Sequence, residues 1–466
     1  MRALATVLLC LLPPLHGQDF RHPSPPEALP PGEFQARRLA LAQAIRAAEP
    51  DRPAVVLVRG ANADPGMGAF VQEQDFLYLS GVAEPGLALL LMPSAEALAL
   101  DEILVPPFSR MSATWDGNFL APGEATAQRT GFAAATNVRS LADRLDSLLA
   151  ADEQGQRAVL YTLTQPAPRT GSTPSKAADS ARAIQRDAFD GRSSREQALR
   201  ERLLARYPGL EVRSLEPFLT RLRVQKSPAE LVLLRAATQA AADGIAEAMR
   251  SARPGAYEYE LAAVARYVHS LRGGGPDAYA AIVGAGPNGC ILHYNKNDRQ
   301  LRADDLIVMD YAPTIQGYAS DVTRTFPASG RFTPAQRKLV QDVYEIQQEL
   351  LAMVKPGARL STIGRRCQEL LLQRGYRSDH GPCHHVGLAV HDPSVDVLAA
   401  GMVITVEPGA YLRDQGMGCR IEDTLLVTAD GYESLSTGLP ANPDSIEAFM
   451  QQPGLLRHPV GLPRGH

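Results

Sequence analysis

LIVMDYAPTIQGYASDVTRTF, residues 306–326, reads as two apolar, β-rich runs, LIVMDYA and YASDVTRTF, either side of a turn-forming segment at 314–317. That pattern is a β-hairpin. Each run carries one carboxylate, Asp310 and Asp321. With the turn centred on Ile315-Gln316, the two acids are direct cross-strand neighbours on one sheet face, their Cβ atoms about 5 Å apart. Like charges so placed repel unless one is protonated or a cation sits between them. The remaining ligands of that cation must come from elsewhere in the chain.

The chain has 466 residues, 45% hydrophobic and 21% charged, which suits a globular protein of two or three domains. A net charge of −4 gives no electrostatic reason for a nucleic acid or an anionic membrane as partner. A small molecule or peptide is the expected partner. Residues 1–17 read as a signal peptide: Arg2, the apolar run Ala3–Leu12, the break at Pro13-Pro14, and a cut near Gly17. The protein is therefore expected to be exported, periplasmic or secreted, with no membrane attachment after cleavage. Cys290, Cys367, Cys383 and Cys419 lack zinc-knot spacing and read as free thiols.

Residues 18–33 are proline-rich and expected to be a disordered leader. From Phe34 a helical run is followed by AVVLVRG, DFLYLSG, ALLLMP and EILVPPF as strand candidates, then a helix near 140–150, the strand AVLYT and a helical run over 193–206. This alternation predicts an α/β domain over 34–215, in which histidine is absent. The boundary falls near 216–226, and a second domain covers 223–450. It opens on a long helix with Ser227 as N-cap, Pro228 at the first helical position and Glu230 completing a capping box. A second helix over 257–272 ends at the glycines 273–275. The tail, 451–466, is Pro/Gly-rich and expected to be disordered.

The second domain supplies further candidate ligands. His293 follows a glycine-rich turn in VGAGPNGCILHYN, and DHGPCHHVGLAVHD carries His380, His384, His385 and His391. Glu407 ends the strand-like GMVITVEPG and Glu422 sits in CRIEDTLLVT, so these two acids can also face each other across adjacent strands. A single acid at a strand end is most often a solvated turn residue. Two apolar, hairpin-like pairs of acids with a histidine cluster between them are not. Two carboxylate pairs and one imidazole make a five-ligand cage for two divalent ions. Oxygen-rich ligation with one nitrogen and no thiolate favours Mn²⁺, with Co²⁺ and Zn²⁺ as alternatives. Two ions ~3.5–4 Å apart can share a hydroxide of lowered pKa and polarise a carbonyl, which is peptide-bond hydrolysis chemistry. Unligated histidines would stabilise the oxyanion and move a proton to the leaving nitrogen.

These residues resemble the aminopeptidase P and prolidase family of metallopeptidases. The likeness is carried by IVGAGPNGCILHYN, DLIVMDYAPTIQGYASDVTRTFP, HGPCHHVGLAVHD, GMVITVEPGAY and GCRIEDTLLVT, and more weakly by QEQDFLYLSGVAEPG and WDGNFLAPGEA. It implies an α/β creatinase-like N-terminal domain followed by an α+β pita-bread catalytic domain of the methionine aminopeptidase type. It implies that Asp310, Asp321, His384, Glu407 and Glu422 ligate two metals, with Asp321 and Glu422 bridging. Glu407 would take a proton from the attacking water, His293, His380 and His391 would be non-ligand active-site histidines, and Arg420 would support the site by charge pairing. The family's H-G-x-x-H spacing is present as His380 to His384, and the resemblance therefore implies His384 rather than its neighbour His385 as the ligand. His385 stands where aminopeptidase P often has tryptophan, Cys419 replaces an aliphatic residue, and the connection from Glu407 to Glu422 is short. The implied substrates are peptides with proline at the second position, whose tertiary amide escapes general peptidases. Prolidase activity on Xaa-Pro dipeptides is the alternative; creatinase-like C–N hydrolysis and a non-catalytic partner-binding homologue rank below it. A dimer or tetramer is implied by resemblance alone.

Overall fold

The computed structural model describes residues 26–457 apart from 64–68, 96, 152, 154, 169–170 and 379. The signal-peptide assignment, most of the leader and the tail beyond 457 lie outside the described residues. Residues 26–30 have no regular structure, but 31–33 already belong to the first helix, Pro31–Ala48, so order begins three residues before Phe34. Proline at the first helical position explains the early start, because its missing N–H has no helical partner to lose. The expected disorder of the tail likewise fails over 451–457: Leu455–Arg457 form a 3₁₀ turn, and the Leu455 amide donates to Glu247 at 2.6 Å.

Six strands of the first half form one mixed sheet: β1 (Ala54–Arg59), β2 (Ala88–Pro93), β3 (Leu98–Val105), β4 (Ala134–Asn137), β5 (Val159–Thr162) and β6 (Val212–Ser214), in the order β4-β3-β2-β1-β5-β6. The period-2 alternation of β1 serves both faces. Val55 and Leu57 pack with Leu145, Leu149 and Leu203, while Val56 and Val58 pack with Leu41, Ile45, Phe76 and Leu79. One strand expected here is a helix. The DFLYLS of this run lies within the helix Gln74–Ser80, capped by the Glu73 carboxylate accepting from the Phe76 amide at 2.7 Å and ended by Gly81 in the left-handed region at φ 68°. Buried Phe76, Leu79 and Ser80 fall at i, i+3 and i+4, a helical spacing that a short apolar run hides.

The segment 216–226 contains the helix Glu216–Val224, after which Pro228–Ser251 begins with the expected capping box: Ser227 Oγ accepts from the Glu230 amide at 3.2 Å, and Glu230 accepts from the Ser227 amide at 2.9 Å. Leu233, Leu234, Ala237 and Ala240 of this helix join the same cluster as Val56 and Val58, so one core runs from the first sheet into the second half. The helix Glu258–Leu271 follows.

The second half is built from β7 (Ile282–Ala285), β8 (Leu306–Asp310) and β9 (Thr323–Pro327) in one antiparallel sheet, with β10 (Val403–Val406), β11 (Gly409–Leu412), β12 (Met417–Arg420), β13 (Asp423–Val427) and β14 (Tyr432–Ser434) in further antiparallel sets β10-β13-β14 and β11-β12. An isolated bridge, Thr323 to Glu422, joins the two groups at their centre. Outside lie the helices Pro334–Leu351 and Leu360–Gln373, whose Val340, Val343, Ile363 and Leu370 close the core. Among the described residues no helix is long and apolar enough to cross a membrane.

The hairpin exists, with its register shifted by two from the expectation. Ile315 and Tyr318 pair, and Gln316 and Gly317 occupy the turn with φ of 51° and 87°. Both central residues are left-handed, a two-residue turn that suits glycine and would strain β-branched Ile315. Asp310 therefore pairs with Thr323 rather than Asp321. An even slip keeps every side chain on its face, so the two acids stay on one side as diagonal neighbours.

Candidate metal centre and active site

Asp310 is the last residue of β8, held with one carboxylate oxygen on Arg420: Nη2 donates to Oδ2 at 2.5 Å. Its other oxygen, Oδ1, is buried without a partner among the described residues. Asp321 accepts the Tyr279 hydroxyl on Oδ1 at 2.6 Å and turns Oδ2 toward His384 Nε2 at 3.3 Å. On the other sheet Val406 pairs with Asp423, so Glu407 and Glu422 fall opposite each other one step beyond that ladder, as expected from sequence. Glu422 Oε2 accepts from Thr323 Oγ1 at 2.7 Å, and Oε1 is buried and unpartnered. Glu407 Oε1 lies 3.1 Å from His384 Nε2, and Oε2 lies 3.3 Å from His380 Nε2.

The histidines divide by their hydrogen bonds. His384 Nδ1 lies 3.1 Å from the His385 carbonyl; a carbonyl only accepts, so Nδ1 carries a proton and Nε2 is the ring nitrogen that faces the acids. His385 is fully buried and spends Nε2 on the Val395 carbonyl at 3.1 Å, away from the acids. His391 lies beside His384, ring centroids 4.5 Å apart. His293, His380, His384 and His391 line one cavity of about 210 Å³ together with Asp310, Asp321, Glu407 and Arg420.

Electrostatically the cage is short of positive charge. Burial and the Asp310 charge push the Asp321 carboxyl up to about 7. Burial, with the charges of Asp321 and Glu407, holds Glu422 well above the carboxylate range. Burial opposes a charge on His384, but hydrogen bonds to Asp321 and Glu407 raise it well above the usual imidazole range. Burial also works against the Glu407 carboxylate, yet His380, His384 and Arg420 hold it down to about 2. Burial keeps His380 and His391 neutral, His391 pushed down to about 3. Divalent cations fit this arrangement. Asp321, His384 and Glu422 offer ligand atoms all within 4.8 Å of one another, and the orphaned oxygens of Asp310 and Glu422 are acceptors that nothing else in the described residues satisfies.

Residues 232–429 match the model of metallopeptidase family M24, and residues 34–157 match that of the aminopeptidase P N-terminal domain. Residues 232–429 thus form a metallopeptidase family M24 domain. The chain is 35% identical over 268 residues to the Xaa-Pro aminopeptidase of Escherichia coli strain K12, a match covering 50% of the chain and 61% of that protein. It is 34% identical over 274 residues to the Xaa-Pro aminopeptidase of Haemophilus influenzae, covering 52% and 64%. Both matches span less than two thirds of the relative's length. Aminopeptidase P from E. coli with the inhibitor Pro-Leu superposes with a TM-score of 0.74 at 28% identity, over 91% of this chain and 99% of that one. The architecture is thus an aminopeptidase P-type N-terminal domain followed by an M24 pita-bread domain.

Several residues of this M24 site escape a reading for acids and histidines. Tyr279 holds Asp321, Thr323 joins Arg420 Nε (3.1 Å) to Glu422, and Tyr411 accepts from Arg420 Nη1 at 3.1 Å. Thr405 bonds both the His384 amide and Glu407. Hydroxyl residues two positions from an acid on the same strand face, as Thr323 is from Asp321 and Thr405 from Glu407, are the signal that could have found two of them.

Proposed function

We propose that this chain is an Xaa-Pro aminopeptidase: a metallopeptidase that hydrolyses the N-terminal Xaa-Pro bond of peptides using two divalent ions, Mn²⁺ in preference to Co²⁺ or Zn²⁺. The observation that carries it is the convergence of Asp310, Asp321, His384 and Glu407 with neutral His380 and His391 on one cavity, with Glu422 against Asp321 and His384. The relatives bearing that name support the substrate class.

Asp310, Asp321, His384, Glu407 and Glu422 would hold the ions, with Asp321 and Glu422 shared between them. When bound, the ions supply Lewis acidity that activates water and polarises the scissile carbonyl. Glu407 would accept the proton from the attacking water, and His380, within 3.3 Å of Oε2, would pass it to the leaving nitrogen as the C–N bond breaks. His391 and rim-exposed His293 donate to the oxyanion from neutral rings. Arg420 fixes Asp310 and satisfies its outer oxygen.

Metal-stripped protein is expected to release the first residue of an Xaa-Pro-Yaa tripeptide only after Mn²⁺ is added. No metal-dependent cleavage of any Xaa-Pro substrate would sink the proposal, and cleavage of Xaa-Pro with the tripeptide intact moves the assignment to prolidase. Export is part of the same proposal, supported by the N-terminal apolar run and tested by sequencing the N-terminus of the mature protein. A dimer or tetramer is supported by the exposed segment bearing Phe108, Met111 and Trp115; a monomer in analytical ultracentrifugation overturns it.

A further inference from the structure

The loop from His385 to Asp392, which separates His384 from His391, is closed by a carboxylate that the chemistry above does not use. The Asp392 amide donates to the His385 carbonyl at 2.9 Å, and its Oδ1 accepts from the Ala389 amide at 3.2 Å. The carboxylate packs on the Gly387 backbone so closely that a Cβ there would come within 2.4 Å of Oδ2. Two cations hold it from outside the loop. Arg223 Nη2 donates to Oδ1 at 2.5 Å and Lys226 Nζ to Oδ2 at 3.1 Å.

Arg223 also reaches the other way. Its Nη1 donates to Asp75 Oδ1 at 2.6 Å, on the helix Gln74–Ser80 of the first domain. Arg223, Lys226 and Asp392 are buried, and with Asp75 they make two positive and two negative charges. A buried cluster of this kind is weak evidence for stability, because desolvation offsets the attraction. What it does supply is geometry. A guanidinium fork held at both ends has one orientation, and the loop between the two active-site histidines is fastened to it. His384 is fixed separately, by its amide on Thr405 and its carbonyl on the Thr405 amide. His391 has no such anchor: its Nδ1 is buried without a partner among the described residues.

We propose that Arg223 and Asp392 are positioning residues, a clamp that aims His391 into the active-site cavity and fastens its loop to the first domain through Asp75. The functional part of this rests on the peptidase reading; the mechanical part does not. Asp392→Asn, Arg223→Lys and the double variant Arg223→Met/Asp392→Asn test it in the full chain. The single Asp392→Asn leaves buried Arg223 short of a counter-charge and lowers the melting temperature. The double variant removes one charge of each sign and returns to within ~2 °C of wild type. Throughout, kcat on a tripeptide with Mn²⁺ falls about 10²-fold while KM moves less than ~3-fold and bound metal per chain is unchanged. A double variant whose kcat returns with its melting temperature overturns the proposal, since that is what a purely structural role predicts. Arg223→Lys keeps the charge but a single ammonium cannot bridge both carboxylates, so it keeps the fold and loses kcat; wild-type kcat in this variant overturns the clamp. Hydrogen exchange of the metal-free protein is read in parallel. In Asp392→Asn, amides 386–392 and 77–81 exchange at least ~10-fold faster, and no change in both segments overturns the mechanical claim. Because exchange needs no substrate, a wild-type chain that cleaves no Xaa-Pro peptide defeats the peptidase reading and leaves this result to stand or fall alone.

Discussion

Asp321 sits among like charges with no compensating cation of its own except His384, and the pH dependence of the metal-free protein follows. Its carboxyl, raised to about 7, binds a proton in the folded chain at pH values where the unfolded chain, near 3.9, does not. That proton stabilises the fold, and its contribution is lost as pH rises through about 7. Glu422, raised for the same cause, acts in the same direction, and the contribution of charged His384 also disappears as pH rises through its elevated value. Buried neutral His269, His380, His385 and His391 act oppositely, with an effect that sets in below about pH 7.5 as the unfolded chain begins to take up protons and so blunts the trend at the lower end of the range. Glu407, held down to about 2, gives no slope near neutrality. Scanning calorimetry from pH 6.5 to 8.5 should therefore show the metal-free melting temperature falling and the gain from added Mn²⁺ growing. Asp321→Asn should flatten the first trend, reduce bound metal and abolish cleavage. A metal-free melting temperature that is level or rises across that range contradicts this account.

The same acids show, one level up, how far strand chemistry can be read without a fold. Periodicity placed Asp310 and Asp321 on one face, and that survived because the register error was even. The turn could have been placed correctly by requiring φ > 0 at both central residues, which puts Gly317 second and moves Ile315 out. The helix at Gln74–Ser80 was harder, since seven residues of apolar sequence fit either period and the decision came from burial against β1 and the first helix. Nothing in the residue types announced the close approach of β12 to the turn at 286–290. A Cβ on Gly418 would meet the Gly289 carbonyl oxygen at 1.9 Å, so backbone packs directly on backbone two residues before Arg420 and four before His293. Gly418→Ala is expected to cost about 1–3 kcal/mol in denaturant unfolding and to lower activity by moving Arg420. An unchanged midpoint would show that β12 can shift freely.

At the level of the whole molecule the two domains share a core. Leu234, fully buried on the helix Pro228–Ser251, packs in one cluster with Val56 and Leu79 of the first domain and with Ile315 and Tyr318 at the hairpin tip. Tyr318 also donates to Glu230 at 3.0 Å and accepts from Arg37 at 3.2 Å, tying that tip to the first helix. Leu234→Ala should therefore destabilise by ~2–5 kcal/mol and leave a single calorimetric transition that moves as a unit. Two separated transitions would show the domains melting independently. By itself the sequence determined the candidate ligand types, because carboxylates on apolar strands and a histidine cluster are chemically conspicuous, and it determined sheet faces, because strand periodicity is local. Only the tertiary structure decided the pairing of Asp310 with Thr323, the hydroxyls that hold Asp321, Glu407 and Glu422, and the Asp75–Arg223–Asp392 link. Those depend on residues many tens of positions apart, such as Arg223 and Asp392, whose partners are chosen by how helices and sheets pack and leave no periodic trace in the chain.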